Sequence, residues 1–117
     1  MPTLDQHKNK YEHNRMLLDN ELSIDSCTNY DWIVTVAFYV AMHLLEGEMS
    51  KSGIHTRTHV DRDVMVARNR AFIKIRSKYK MLHDRSIVAR YGAQCLDKKK
   101  AEQALQLLAD IEKEIVL

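Results

Sequence analysis

Arg76 and His83 are the residues whose types and spacing first suggest chemistry. Seven steps of about 100° along a helix return to nearly the same face, two turns on. The two backbones would then lie about 10.5 Å apart along the axis, at roughly 1.5 Å of rise per residue. An Arg holds a phosphate through two parallel hydrogen bonds, and an imidazole can move a proton to or from a ribose hydroxyl. Side chains of that length can converge on one phosphate, so the pairing suits metal-free cleavage of RNA. On spacing alone, an Arg and a His exposed on a solvated face is the favoured reading, because such pairs are common by chance.

Other residues carry weaker signals. His43 lies inside an apolar stretch and reads as a core or interface histidine satisfied by one partner. His55 and His59 lie four apart, with His43 and Glu46 one helix earlier. Two-metal helix bundles use Glu-x-x-His, and the order here is His43-Leu44-Leu45-Glu46, so no metal and no cofactor is expected. The segment Arg57-Thr58-His59-Val60-Asp61-Arg62-Asp63 is dense in charge. It reads either as a solvated helix start capped by Thr58 or as a helix N-terminus facing phosphate, with His59 and Arg62 as its binding groups. Lys98-Lys99-Lys100 reads as a solvated face, and Trp32 and Phe38 as core. There is no Gly-rich phosphate loop and no thiol-hydrolase signature.

These residues need elements to position them. The chain has 117 residues, one domain's worth (1–117), long enough to bury a real core. Three Gly and one Pro are too few for a loop-rich or β-rich fold. A net charge of +2 is too mild to demand nucleic acid. Two distant cysteines imply no disulfide framework, and a reducing compartment is the simplest one. The run Met1-Pro2-Thr3-Leu4-Asp5-Gln6-His7 lacks the order of a signal peptide. The apolar run Trp32 to Leu45 is too short to span a bilayer. A cytoplasmic location with no membrane partner is therefore expected.

Hydrophobic periodicity predicts five helices. The first spans 4–22, opened by a Thr3/Gln6 capping box. The second spans 29–50, capped by Thr28 or Asn29 and closed by Ser52-Gly53. It is apolar nearly all round, which predicts a central helix or one with a face against a second subunit. A short third spans 58–67. The fourth spans 71–90, with a buried stripe of Phe72, Ile75, Tyr79, Leu82 and Ile87 and a left-handed cap at Gly92. The fifth spans 97–116, capped by Asp97, with the seam Ala101, Ala104, Leu108, Ile111 and Ile115. Short connections make neighbours antiparallel. The expected fold is all-α: an up-and-down bundle of four long helices plus one short helix.

The string Asp31-Trp32-Ile33-Val34-Thr35-Val36-Ala37-Phe38-Tyr39-Val40-Ala41-Met42-His43-Leu44-Leu45-Glu46 resembles the second helix of HEPN domains. Ile54-His55-Thr56-Arg57-Thr58-His59 resembles that family's loop ending in Thr/Ser-His. Tyr79-Lys80-Met81-Leu82 and Ser86-Ile87-Val88-Ala89-Arg90-Tyr91 resemble its Tyr-x-x-Leu and Ser-Arg-x-Ala-Arg-Tyr pattern, with Ile87 in place of the Arg. The resemblance covers residues 8 to 115. It implies a helical bundle that dimerises and that binds or cleaves RNA without a metal, as toxin-like members do. It also implies the family's other role, a non-catalytic adaptor pairing with itself, with a nucleotidyltransferase or antitoxin partner, or with a nucleotide. The family's Arg, four to six residues, then His falls on Arg76 and His83 as catalytic residues, Ser77 standing where many members have a polar Asn, Asp or His. Arg90 and Tyr91, with His59 and Arg62, become its phosphate- or nucleotide-binding residues.

Overall fold

The computed structural model describes residues 2–117, so Met1 of the leader reading lies outside the described residues. Thr3 opens the first helix as expected. Its hydroxyl accepts from the Gln6 amide, and the Gln6 side chain accepts from the Thr3 amide in return. That helix, α1, runs Leu4–Asn20 and buries only His7 and Leu18, a narrow stripe.

α2 runs Tyr30–Ser50. Its Asn29 makes no side-chain cap; the Asn29 amide donates to Cys27 Sγ instead. The Asp31 carboxylate, in its first turn, accepts from the Leu96 amide and so ties the α2 start to the segment before the last helix. Gly53 has φ 74°, a left-handed turn residue past the helix end.

α3 runs His59–Arg68, with the Thr58 hydroxyl accepting from the Asp61 amide. The expected fourth helix starts later than periodicity suggests. Asn69 caps a single 3-10 turn, Arg70–Phe72, by accepting from the Ala71 amide. Ile75, at φ −119° and ψ −6°, interrupts helical geometry before α4 runs Arg76–Tyr91. α5 runs Lys98–Glu114, with Asp97 accepting from the Lys100 amide.

The described residues form an all-helical bundle with α2 at its centre. α2 packs against α1, α4 and α5, while α4 also packs against α5 and α3. The α5 seam is buried as its spacing predicts, from Ala101 to Ile115. Three other expectations are corrected. Ile87 is 41% exposed, and Ser86, fully buried, takes the core face of that turn. Trp32 is 57% exposed, outside the core that Phe38 anchors. Gly92 is extended rather than left-handed, at φ −70° and ψ 155°. What demands glycine there is crowding, since a Cβ would lie 2.5 Å from the Val88 carbonyl oxygen.

Most of α2 is covered within the chain, Trp32 apart. Thirteen of its twenty-one residues, Ile33 to Met49, are buried by the chain itself. Cys27 is half-buried and Cys95 exposed, both free. No helix among the described residues is long and apolar enough to cross a membrane.

Candidate functional site

α4 carries an unusual face. Arg76 Nε, Tyr79 Oη and His83 Nδ1 are buried side-chain atoms with no hydrogen-bond partner. Steps of three and four place all three on one side of the helix. A buried polar atom without a partner carries a desolvation cost, and such atoms collect where a ligand or water completes them.

His83 is only 5% exposed, which corrects the solvated reading of this position. Its ring lies on Phe38 from α2, with centroids 4.9 Å apart and planes 12° from parallel. Its Nδ1 stands 3.4 Å from Asp63 Oδ2 on α3, too poorly aligned for a hydrogen bond but close enough to favour a proton on that nitrogen. Nε2 is then the nitrogen with a free lone pair. Burial lowers the His83 pKa most; Asp63 and Asp84 pull it up, Lys80 and Arg90 down.

His59 opens α3 and is exposed. Its ring centroid lies 5.0 Å from that of His83 and 5.9 Å from Phe38. Its pKa is also lowered, first by burial and then by Arg62, His83 and Arg90, with Asp63 opposing. Both imidazoles are pushed toward the neutral form for the same first reason, burial, which penalises the charged form.

Arg62 is not the free cation its sequence context suggests. It is buried, and its Nε donates to Glu46 Oε1 at 2.6 Å. Thr56 Oγ1 donates to the same carboxylate oxygen. Arg62 Nη1 then lies 2.8 Å from His59 Nδ1. A chain of contacts thus runs from the α2–α3 loop through buried Glu46 and Arg62 to the exposed imidazole.

Arg90 is set among aromatic rings. Its guanidinium lies 5.9 Å from the Phe38 centroid, 5.8 Å from Tyr39 and 5.3 Å from Tyr91. It donates to the Ser86 carbonyl and hydroxyl and to the Tyr39 hydroxyl, which fixes its position. Among the described residues no carboxylate forms an ion pair with it. Tyr91 is 77% exposed beside it. Arg76 is turned elsewhere: its Nη2 donates to the Asn69 carbonyl in the α3–α4 connection.

His59, His83 and Arg90 are therefore gathered over Phe38, with Arg62 behind His59 and Tyr91 at the rim. Glu46, Asp63 and Phe38 complete the cluster, and sequence reasoning does not assign them there. Glu46 lies sixteen residues before Arg62, and the only signal for it was a charge at a position the α2 pattern makes apolar. His43 lies outside this cluster. It is half-buried, and its Nδ1 meets His7 Nδ1 at 3.3 Å. Among the described residues no group of three or more His, Cys, Asp or Glu side chains is placed to hold a metal ion. No family model matches this chain, and neither a curated protein nor a solved structure matches it.

Proposed function

We propose that this chain is a HEPN-type domain that binds RNA and cleaves it without a metal, working as a homodimer. The observation that carries the reading is the convergence of two neutral imidazoles and an unpaired guanidinium over Phe38. A phosphodiester needs a cation at its non-bridging oxygens, which Arg90 supplies. The neighbouring 2′-hydroxyl attacks phosphorus while the P–O5′ bond breaks; His83 Nε2 is suited to take the 2′-hydroxyl proton near neutral pH, the 5′-oxygen leaves with a proton from water, and a 2′,3′-cyclic phosphate remains. Tyr91, exposed and adjacent, offers a face on which a base can stack. Arg76, held on the Asn69 carbonyl, is the weaker candidate for phosphate contact.

The finer architecture belongs to the same reading. Helices of 17, 21, 16 and 17 residues with one of 10 between them support an up-and-down order of four long helices plus one short. A cytoplasmic location goes with it.

A second reading is favoured by a different observation. Met81, Ile87 and Val88 on α4 are exposed apolar side chains. A non-catalytic adaptor, pairing with itself, a nucleotidyltransferase, an antitoxin or a nucleotide, would use such a surface.

The deciding experiment is incubation of purified protein with single-stranded RNA, with and without chelator, beside Arg76→Ala, His83→Ala and Arg90→Ala. Chelator-resistant cleavage that falls at least 100-fold in His83→Ala, with Arg90→Ala weakening RNA binding, is expected. Binding without cleavage by any of them would favour the adaptor, and neither binding nor cleavage would remove RNA from the reading.

A further inference from the structure

We infer that Glu46 and Arg62 lock His59 as a neutral imidazole whose outward Nε2–H donates a hydrogen bond to a phosphodiester oxygen. The inference rests on the RNA reading above and assigns Arg62 a new role: it is a positioning residue that acts through His59, not a phosphate contact.

The argument is one of donors and acceptors. A guanidinium has only donors. At 2.8 Å from Arg62 Nη1, His59 Nδ1 must therefore be the acceptor. The ring's proton then sits on Nε2, which donates to no group among the described residues and belongs to an exposed residue. Arg62 cannot swing away freely. It is buried, and Glu46 Oε1 holds its Nε at 2.6 Å while also accepting from Thr56. Removing Arg62 would leave the Glu46 carboxylate buried without its cation, which is strongly unfavourable. The ion pair thus fixes the guanidinium, and the guanidinium fixes the tautomer.

Protonating His59 on Nδ1 would set an N–H against the Arg62 N–H, so the imidazolium is disfavoured by contact as well as by charge. The groups facing His59 are Arg62 and Asp63 on its own helix and His83 and Arg90 from α4. Those facing His83 are His59 and Asp63 from α3 and Lys80, Asp84 and Arg90 on α4. Asp63 is the one carboxylate that acts on both rings and Arg90 the cation that does, and cations outnumber the carboxylate at His59. A neutral N–H donor beside the unpaired Arg90 divides the work at a phosphate: Arg90 supplies charge and His59 supplies direction. The device resembles a neutral histidine used elsewhere as a hydrogen-bond donor to developing negative charge.

Two measurements on the full chain test this. In imidazole ¹⁵N spectra at neutral pH, His59 is expected to show an unprotonated Nδ1 and a protonated Nε2, with Nε2 shifting when inorganic phosphate or a short RNA is added. A proton on Nδ1, or a mixture of tautomers, overturns the inference whatever RNA does. If the tautomer is as stated and phosphate shifts Nε2 but RNA does not, the RNA reading fails and the donor site stands. If neither shifts it, the inference fails, and the RNA reading is decided by the cleavage assay. The second measurement is RNA affinity of His59→Gln and His59→Leu. Because the residue is exposed, neither variant threatens the fold. Gln can place a neutral N–H near the Nε2 position and should stay within about threefold of wild type, whereas Leu should lose about tenfold or more. Equal losses in both variants, together with wild-type affinity that climbs about tenfold per unit as pH falls from 7 to 6, would show that an imidazolium is required and overturn the inference.

Discussion

At the scale of single residues, the histidines share one electrostatic direction with one consequence. His7, His43, His59 and His83 all have pKa values lowered chiefly by burial, and His43 falls to about 4. At 3.3 Å, the two Nδ1 atoms of His7 and His43 can share only one proton. Protonating both nitrogens would set two N–H groups, and two positive charges, against each other. Lys10 and Arg62 add to that penalty at His43, and Glu46 only partly offsets it. A histidine whose folded pKa lies below its unfolded value contributes stability that is present above the unfolded value and lost as pH falls toward the folded one. The window here runs from 6.5 down to about 4 for His43. Over it the protein should lose on the order of 3 kcal/mol from this residue alone. Urea unfolding at pH 7 and pH 4.5 checks this. His43→Phe should shrink the pH dependence, and an unchanged dependence would mean the pair is not its seat. The Glu46–Arg62 pair makes a second prediction at this scale: Arg62→Met should cost about 3–5 kcal/mol, because it strands a buried carboxylate, and Glu46→Gln with Arg62→Met should recover part of the loss. Thermal unfolding of the two variants beside the wild type reads both. Of these residues, the sequence makes His59, His83 and Arg90 visible as candidates by type and local motif. It does not show that Arg62 turns inward, because its partner is on another helix and ion pairs across elements leave no period in the chain.

At the scale of elements, apolar spacing predicts well where it is unambiguous and misleads where two geometries share it. α5 steps 3, 4, 3, 4, and every residue of that seam is buried. Leu108→Ala should therefore cost about 2–5 kcal/mol. The start of α4 is different. Phe72 and Ile75 are three apart, a spacing an α-helix and a 3-10 turn both satisfy, so the stripe reads as continuous through a break that Asn69 and Ile75 impose. Ile87 follows from the same extrapolation. It continues an apolar rhythm, but α4's core side passes through Ser86, and an apolar residue can sit outside at little cost. Ile87→Ala should change stability by less than about 0.5 kcal/mol while Leu108→Ala unfolds the bundle readily. Parallel denaturation curves test the contrast, and a large loss at Ile87 would mean that this side of α4 is covered in solution.

That last outcome leads to the whole molecule. The all-round apolar character of α2 looks like a reason for a second subunit, yet the chain buries most of that helix with α1, α4 and α5. If the proposed homodimer forms, α2 is not what drives it. Apart from Trp32 at its start, the apolar surface left over is elsewhere. On α4, Met81, Ile87, Val88 and Tyr91 are all exposed. Helical spacing sets Met81 and Val88 on one stripe and Ile87 and Tyr91 on the next, the latter flanking His83 and Arg90. Pairing two copies through α4 would cover these side chains and bring two Arg90–His83 sets to one cleft, so assembly and function would depend on the same helix. Light scattering of the wild-type protein should give twice the 13.7 kDa chain mass. Met81→Lys with Val88→Glu, both at exposed positions, should yield a folded monomer whose RNA affinity falls about tenfold or more, because one half of a two-site grip remains. A wild-type protein that stays monomeric at all concentrations would remove the dimer while leaving the His59–His83–Arg90 cluster intact within one chain. A dimer that survives the double variant would move the interface off α4 and make the exposed Val60 and Val64 stripe of α3 the next surface to charge.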